Sequence, residues 1–140
     1  MKTQWLLGTL LCATLCVQAQ ENNDRVMIPA PRLSIDLPAR HYFMERTQMK
    51  EFRGEYTLSN GQTLTLSGND YAMYAEISGQ GKHKLVAANR NTFVALDRKI
   101  KVQIDRSPDG DVGGEVLMAV PTRMADTGEM GETVVRLATR

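Results

Sequence analysis

Phe52-Arg-Gly54-Glu-Tyr56-Thr-Leu58-Ser-Asn60-Gly61-Gln-Thr-Leu64-Thr-Leu66-Ser67 is the stretch whose reading decides the fold. Phe52, Gly54, Tyr56 and Leu58 alternate with Arg53, Glu55 and Thr57, and Leu64 and Leu66 alternate with Thr63 and Thr65. Successive side chains of an extended strand point to opposite faces, so an apolar period of two predicts two strands, each with one face buried. Between them stands Asn60-Gly61, a pair that tolerates positive φ and favours a two-residue hairpin turn. Residues 52–67 therefore read as a β-hairpin.

The same grammar continues downstream. Gly68-Asn69-Asp70 leads into a strand over 71–77, Ser78 to Gly81 into one over 82–87, and Ala88 to Asn91 into one over 92–96. Strands over 99–105 and 112–120 follow, separated by Arg106 to Asp111, with Pro121 expected to end the seventh because proline brings no amide donor to a ladder. A Gly-containing loop, Thr122 to Glu132, precedes a further strand over 133–137. Turn signals about every 8 to 12 residues with no intervening helix predict an all-β antiparallel meander of seven or eight strands. Such a sheet twists and must cover its apolar face, which favours a small up-and-down barrel or a curled sheet, with a two-sheet sandwich as the alternative.

Upstream, the character changes. Residues 20–40 carry Pro29, Pro31 and Pro38, which remove amide donors and bias their predecessors away from helix, so an extended lead-in is expected. Val26, Met27, Ile28, Leu33 and Ile35 would let part of it lie along the domain as an edge strand. Thr47 is the expected N-cap of one helical turn ending at Glu51, and residues 41–140 are read as a single β-domain. At the start, Lys2 precedes an apolar run from Trp5 to Val17, and Val17-Gln18-Ala19 presents the small and branched residues of a signal-peptidase site. Residues 1–19 thus read as a signal peptide with cleavage before Gln20. The run is shorter than the roughly 20 apolar residues that a membrane span requires, so no stable membrane anchor is expected.

Cleavage there has two consequences. Cys12 and Cys16 leave with the peptide, so the periplasmic or secreted protein holds its core without disulfides. The remaining 121 residues carry 16 basic and 16 acidic side chains. That balance argues against a nucleic-acid partner, whose phosphates call for clustered Lys and Arg.

The pattern Gly54-x-Tyr56-x-Leu58, then Gly61-x-x-Leu64-x-Leu66, then Tyr74-Ala75-x-Ile77, Leu85, Phe93 and Asp109-Gly110 with Gly114, resembles a known module. It is similar to the small β-rich domain found behind serine beta-lactamase-like and peptidase catalytic domains, and to stand-alone secreted bacterial proteins of unknown function. The resemblance spans roughly residues 50–120 and implies an accessory module. It supplies no catalytic residues.

Candidate chemistry is sparse. A Ser or Cys relay needs a neighbouring His and an orienting acid, yet the exported chain lacks Cys and its serines fall in the lead-in or at turns. His41 and His83 belong to no local metal-binding pair, and His83 shares strand parity with Leu85, at the rim of the core. Asp105, Ser107, Asp109, Gly110, Asp111 and Glu115 approach a calcium-loop spacing, but the acid falls one position early and the flanks are strands. A Pro-Asp-Gly turn accounts for the same residues, so no metal or other cofactor is expected. Tyr42, Phe43, Tyr71 and Tyr74 form a candidate stacking platform, with His83 beside them as a candidate contact.

The sequence thus predicts an exported, non-enzymatic β-domain that binds a protein, peptide or small apolar ligand in the cell envelope. The alternative is an accessory or catalytic fragment of an envelope hydrolase. Intact-mass measurement of exported protein should give a chain beginning at Gln20; a mass that retains Cys12 or Cys16 would refute the cleavage site.

Overall fold

A computed structural model describes residues 32–125 and 127–139. The expected signal peptide and most of the Pro-rich lead-in lie outside these residues. The chain is all-β, as the alternation predicts. One short helix, α1 (Arg46–Glu51), precedes β1 (Gly54–Thr57), β2 (Thr63–Gly68), β3 (Met73–Ile77), β4 (Lys82–Ala87), β5 (Thr92–Ala95), β6 (Ile100–Arg106), β7 (Val112–Arg123) and β8 (Met130–Thr139). The eight strands form one antiparallel sheet in sequence order, so the sandwich alternative does not hold.

The sheet does not close into a barrel. Its two edge strands meet at a single bridge, Leu58 opposite Thr139. There Ser59 N–H donates to Ala138 O (2.8 Å). The short β1 and the long β8 touch only at their tips, and one bridge is all the ladder that contact allows.

Register explains the core. Tyr56 lies opposite Leu64 and Leu64 opposite Ile77, while Phe93 lies opposite Val102 and Val102 opposite Val116. These rows share the inner face, where Leu64, Ile77, Val102 and Val116 are fully buried. Burial of each such side chain contributes about 1.5 to 3 kcal/mol. Tyr56 keeps its phenol inside by donating to Phe52 O (2.8 Å). Burial raises its pKa, and Arg106 acts in the opposite direction.

The described part of the lead-in, residues 32–40, forms no strand, and Val26, Met27 and Ile28 lie outside the described residues. Ile35 instead lies over the outer face of the sheet, packed with Val94 and Leu117 and flanked by Leu37, Ala119 and Val134. All four residues of β5 are consequently buried.

Four local expectations are corrected. The first hairpin turn has three residues, Ser59, Asn60 and Gly61: Leu58 N–H donates to Gln62 O (2.8 Å) and Gly61 N–H to Leu58 O (2.9 Å). Only Gly61 takes positive φ, at 83°, the geometry of a turn followed by a glycine bulge. The β6–β7 turn repeats the device, with Gly110 at φ 92° and Ser107 N–H donating to Asp111 O (2.8 Å). Second, Pro121 does not end β7, which runs to Arg123 with Pro121 opposite Glu132. Ala119 N–H donates to Lys99 O at the start of β6. Odd-numbered amides of β7 therefore face the β6 side, and position 121 lies beyond the start of β6 at Ile100, so the missing donor breaks no ladder bond. Third, β8 begins at Met130 rather than Thr133, shortening the expected loop. Fourth, the N-cap of α1 is Glu45 rather than Thr47, its amide donating to Gln48 Oε1 (3.2 Å).

Gly114 sits where two strands approach most tightly. A Cβ there would lie 2.0 Å from the Gln103 carbonyl oxygen, whereas one at Gly61 would meet nothing within 4 Å. Gly61→Ala should therefore destabilise by about 1 to 2 kcal/mol through backbone conformation alone. Gly114→Ala should cost at least twice as much in urea titration, and equal costs would contradict the close approach.

Candidate functional site

A cleft of about 450 Å³ opens between residues 41–49 and the β3–β4 hairpin. Three local devices position its walls. Tyr42 N–H donates to Ala87 O at the end of β4 (2.8 Å), docking the segment before α1 onto the sheet. Lys50 reaches Asp70 at 3.8 Å, tying α1 to the β2–β3 turn. In that turn the Asn69 side-chain oxygen accepts from the amides of Tyr71 and Ala72, both at 2.9 Å. This Asx-type arrangement is the reason Asn follows Gly68 here.

The turn leaves Tyr71 81% exposed, and the docked segment leaves Phe43 87% exposed beside it. Both border the cleft, together with Tyr42. Large apolar rings gathered at one opening differ from the singly scattered exposed apolar residues common on protein surfaces. Arg46 stacks over Tyr71, 4.8 Å from the ring centroid. Its guanidinium also donates to the Tyr71 hydroxyl at 3.4 Å.

The floor is apolar: Met44, Met73, Leu85 and Phe93 are buried, with Met49 beside them. Phe93 is held edge-on by Phe52, with centroids 5.1 Å apart. Thioether side chains are flexible and fill irregular apolar space. Among the described residues, His41 and Arg46 stand at the rim with one carboxylate, Asp70, that is already engaged by Lys50; Lys84 borders the cleft too, but it lies across the ladder from Tyr74 and takes the outer face. Among the described residues, no Ser, Thr or Cys lines the cleft. The cleft thus combines aromatic faces, an apolar floor and the Arg46 guanidinium at its rim.

The structure brings two of the four sequence-predicted ligand contacts together. Tyr42 and Tyr71 line the cleft. Tyr74 points to the opposite side of β3 from Met73 and Ala75, opposite Ser67 and Lys84 in the ladder, and borders a separate shallow depression with Ser67 and Lys82. His83 lies outside the cleft as well. It shares the inner face with Ala75, its neighbour across the ladder, and its Nδ1 is 2.6 Å from Asp97 Oδ2 in the β5–β6 turn. The calcium-loop residues do not converge. Asp105 accepts from Asn91 Nδ2 (2.6 Å), Glu115 pairs with Arg136 (3.2 Å), and Asp109 and Asp111 belong to a turn closed by backbone bonds. Among the described residues no three His, Cys, Asp or Glu side chains gather into a metal-binding group. Arg46 was not singled out by the sequence; its only signal is a cation one residue after a helix N-cap, which does not reveal the distant Tyr71.

Protein-family models, curated proteins and solved structures give no match to this chain.

Asp97 provides a pH test. Partial burial pushes its carboxyl pKa upward, but hydrogen bonds from His83 and from the Lys99 amide outweigh that effect and leave it below its ordinary value of 3.8. A folded-state pKa below the unfolded one means that the carboxylate stabilises the fold above the ordinary value and loses that contribution as pH falls through the lowered one. Asp97→Asn should therefore lower stability near neutral pH by under about 1 kcal/mol, since the group is half exposed and screened. The difference should vanish in strong acid. A pH-independent difference in thermal denaturation would refute the assignment.

Proposed function

We propose that this chain is an exported, non-enzymatic binding module whose cleft takes a small ligand with an apolar or aromatic body and an acidic group. The observation that carries the reading is the gathering of exposed Tyr42, Phe43 and Tyr71 around one apolar floor. The body would lie on Met44, Met73 and Phe93, and the aromatic rings would cover it from the rim. Arg46, stacked on Tyr71, would meet the acidic group. The volume falls within the range of small-molecule sites. Export rests on residues 1–19, and the role of an accessory module in the cell envelope rests on the resemblance of residues 50–120 to the domains behind beta-lactamase-like and peptidase catalytic domains.

A hydrolytic fragment is the rival reading, and the His83–Asp97 pair is the observation in its favour. The pair stands at an open turn with Asp97 half exposed, away from the cleft, so the binding reading is the better supported.

Titration with 1-anilinonaphthalene-8-sulfonate, an aromatic anion, tests the proposal. Its fluorescence should rise on binding, and a phenyl-substituted alkanoate should displace it. Combined Phe43→Ala and Tyr71→Ala substitution should weaken binding about tenfold, equivalent to about 1.4 kcal/mol. Arg46→Gln should weaken anionic probes more than neutral analogues, and Tyr74→Ala should have no effect. Equal affinity of the Phe43/Tyr71 variant and the unaltered protein would overturn the assignment of the cleft.

A further inference from the structure

Among the described residues, the outer edge of β8 is met only at its end. Ala138 accepts from Ser59 N–H (2.8 Å), and its own amide donates to Ser59 Oγ (3.2 Å). The direction of the remaining groups follows from register. Odd-numbered backbone groups of β7 face β6, so even-numbered ones face β8. The pairing of Met118 with Val135 and Val120 with Thr133 then turns the odd-numbered groups of β8 inward to β7. Glu132, Val134 and Arg136 are left presenting N–H and C=O to the open edge, consistent with the outward bonds of Ala138. This stretch has no Pro, no Lys and no bulge, the usual devices that blunt an edge strand.

We propose that this edge is a contact between two copies of the chain, β8 pairing antiparallel with β8 of the second copy about a two-fold axis through Val134. The argument is self-complementarity. With the axis at Val134, Val134 faces its own equivalent, Glu132 faces Arg136 of the second copy, and Arg136 faces Glu132 of the second copy. All three positions present outward backbone groups, so each opposed pair exchanges two backbone hydrogen bonds. Moving the axis by one residue, to Thr133 or Val135, leaves both charges opposite uncharged residues.

The surrounding charges extend the match. Glu132 is paired with Lys99, and Arg136 Nε lies 3.2 Å from Glu115 Oε2, all on the outer face. Pairing joins these separate ion pairs into a row of alternating sign, Lys99, Glu132, then Arg136 and Glu115 of the second copy, repeated across the axis. Opposite charges directly across a ladder stabilise it. The two copies use the same patch, so the assembly closes as a dimer. The contact is short, which makes the dimer weak and concentration-dependent. No β8 residue lines the cleft, so this inference stands apart from the ligand reading.

Sedimentation equilibrium of the exported chain from about 1 µM to about 500 µM should show a monomer–dimer equilibrium. Val134→Pro removes the outward amide and trims a side chain at the flank of the Ile35 cluster, and should weaken association about tenfold or more while lowering the melting temperature only slightly. Arg136→Glu sets like charges opposite each other twice and should weaken association similarly. If either variant unfolds, crosslinking decides. In a chain carrying Cys12→Ser and Cys16→Ser, Val134→Cys should oxidise to a covalent dimer and Thr65→Cys should not. A monomer throughout the range, a dimer indifferent to the folded edge variants, or absence of the Val134→Cys crosslink would each overturn the proposal.

Discussion

The structure depends on one constraint: a single sheet has to cover its own apolar face. Every strand contributes inward residues, joined among the described residues by Met44, Met49 and Phe52 from the segment before the sheet, and the sheet bends until Leu64, Ile77, Val102 and Val116 share one core. Bending brings neighbouring strands too close for a side chain at particular points. Gly68, where a Cβ would lie 2.1 Å from the Ala72 oxygen, and Gly114 are the residues at which the backbone makes that approach. A hydrogen in place of a methyl group at these positions is thus a condition of the whole core.

The segment before the sheet completes what the sheet cannot do alone. Ile35 covers Val94 and Leu117 on the outer face, and a few residues later Met44 and Phe52 join the inner core. Between them the chain crosses from one face to the other, and the crossing leaves Phe43 outside. The cleft is a product of that crossing: its rim comes from a segment bonded to Ala87, its opposite wall from a turn organised by Asn69, and its floor from core residues with no covering strand.

The alternation of residues 52–67 and of Ile100, Val102 and Ile104 made the strands legible, because one-sided burial imposes a period of two that nothing else in the chain imitates. The bounds of β4 follow from the Gly-rich turn before it and Asn89 after it. Pro121 misled because its effect depends on which side of β7 its missing amide faces and on where β6 begins. The two-residue reading of Asn60-Gly61 failed for a related reason: the dipeptide announces a turn, while the number of residues in it is decided by the pairing of Leu58 with Gln62. At the site, aromatic residues were visible but their grouping was not. Tyr42 and Tyr71 come together only because Tyr42 is bonded to β4, and Tyr74, three residues from Tyr71, is turned away by strand parity.

The meander has a kinetic consequence. Each strand pairs with its neighbour in sequence, so each hairpin can assemble across a short loop at little entropic expense. The contact between Ser59 and Ala138 is different, spanning 79 residues of chain. Its closure entropy would be large for an unfolded chain and small once the intervening strands are ordered and curved. The seam is accordingly a reporter of completion: amide exchange at Ser59 tracks the fully curled sheet, while the amides of the inner hairpins are protected by partially assembled forms as well.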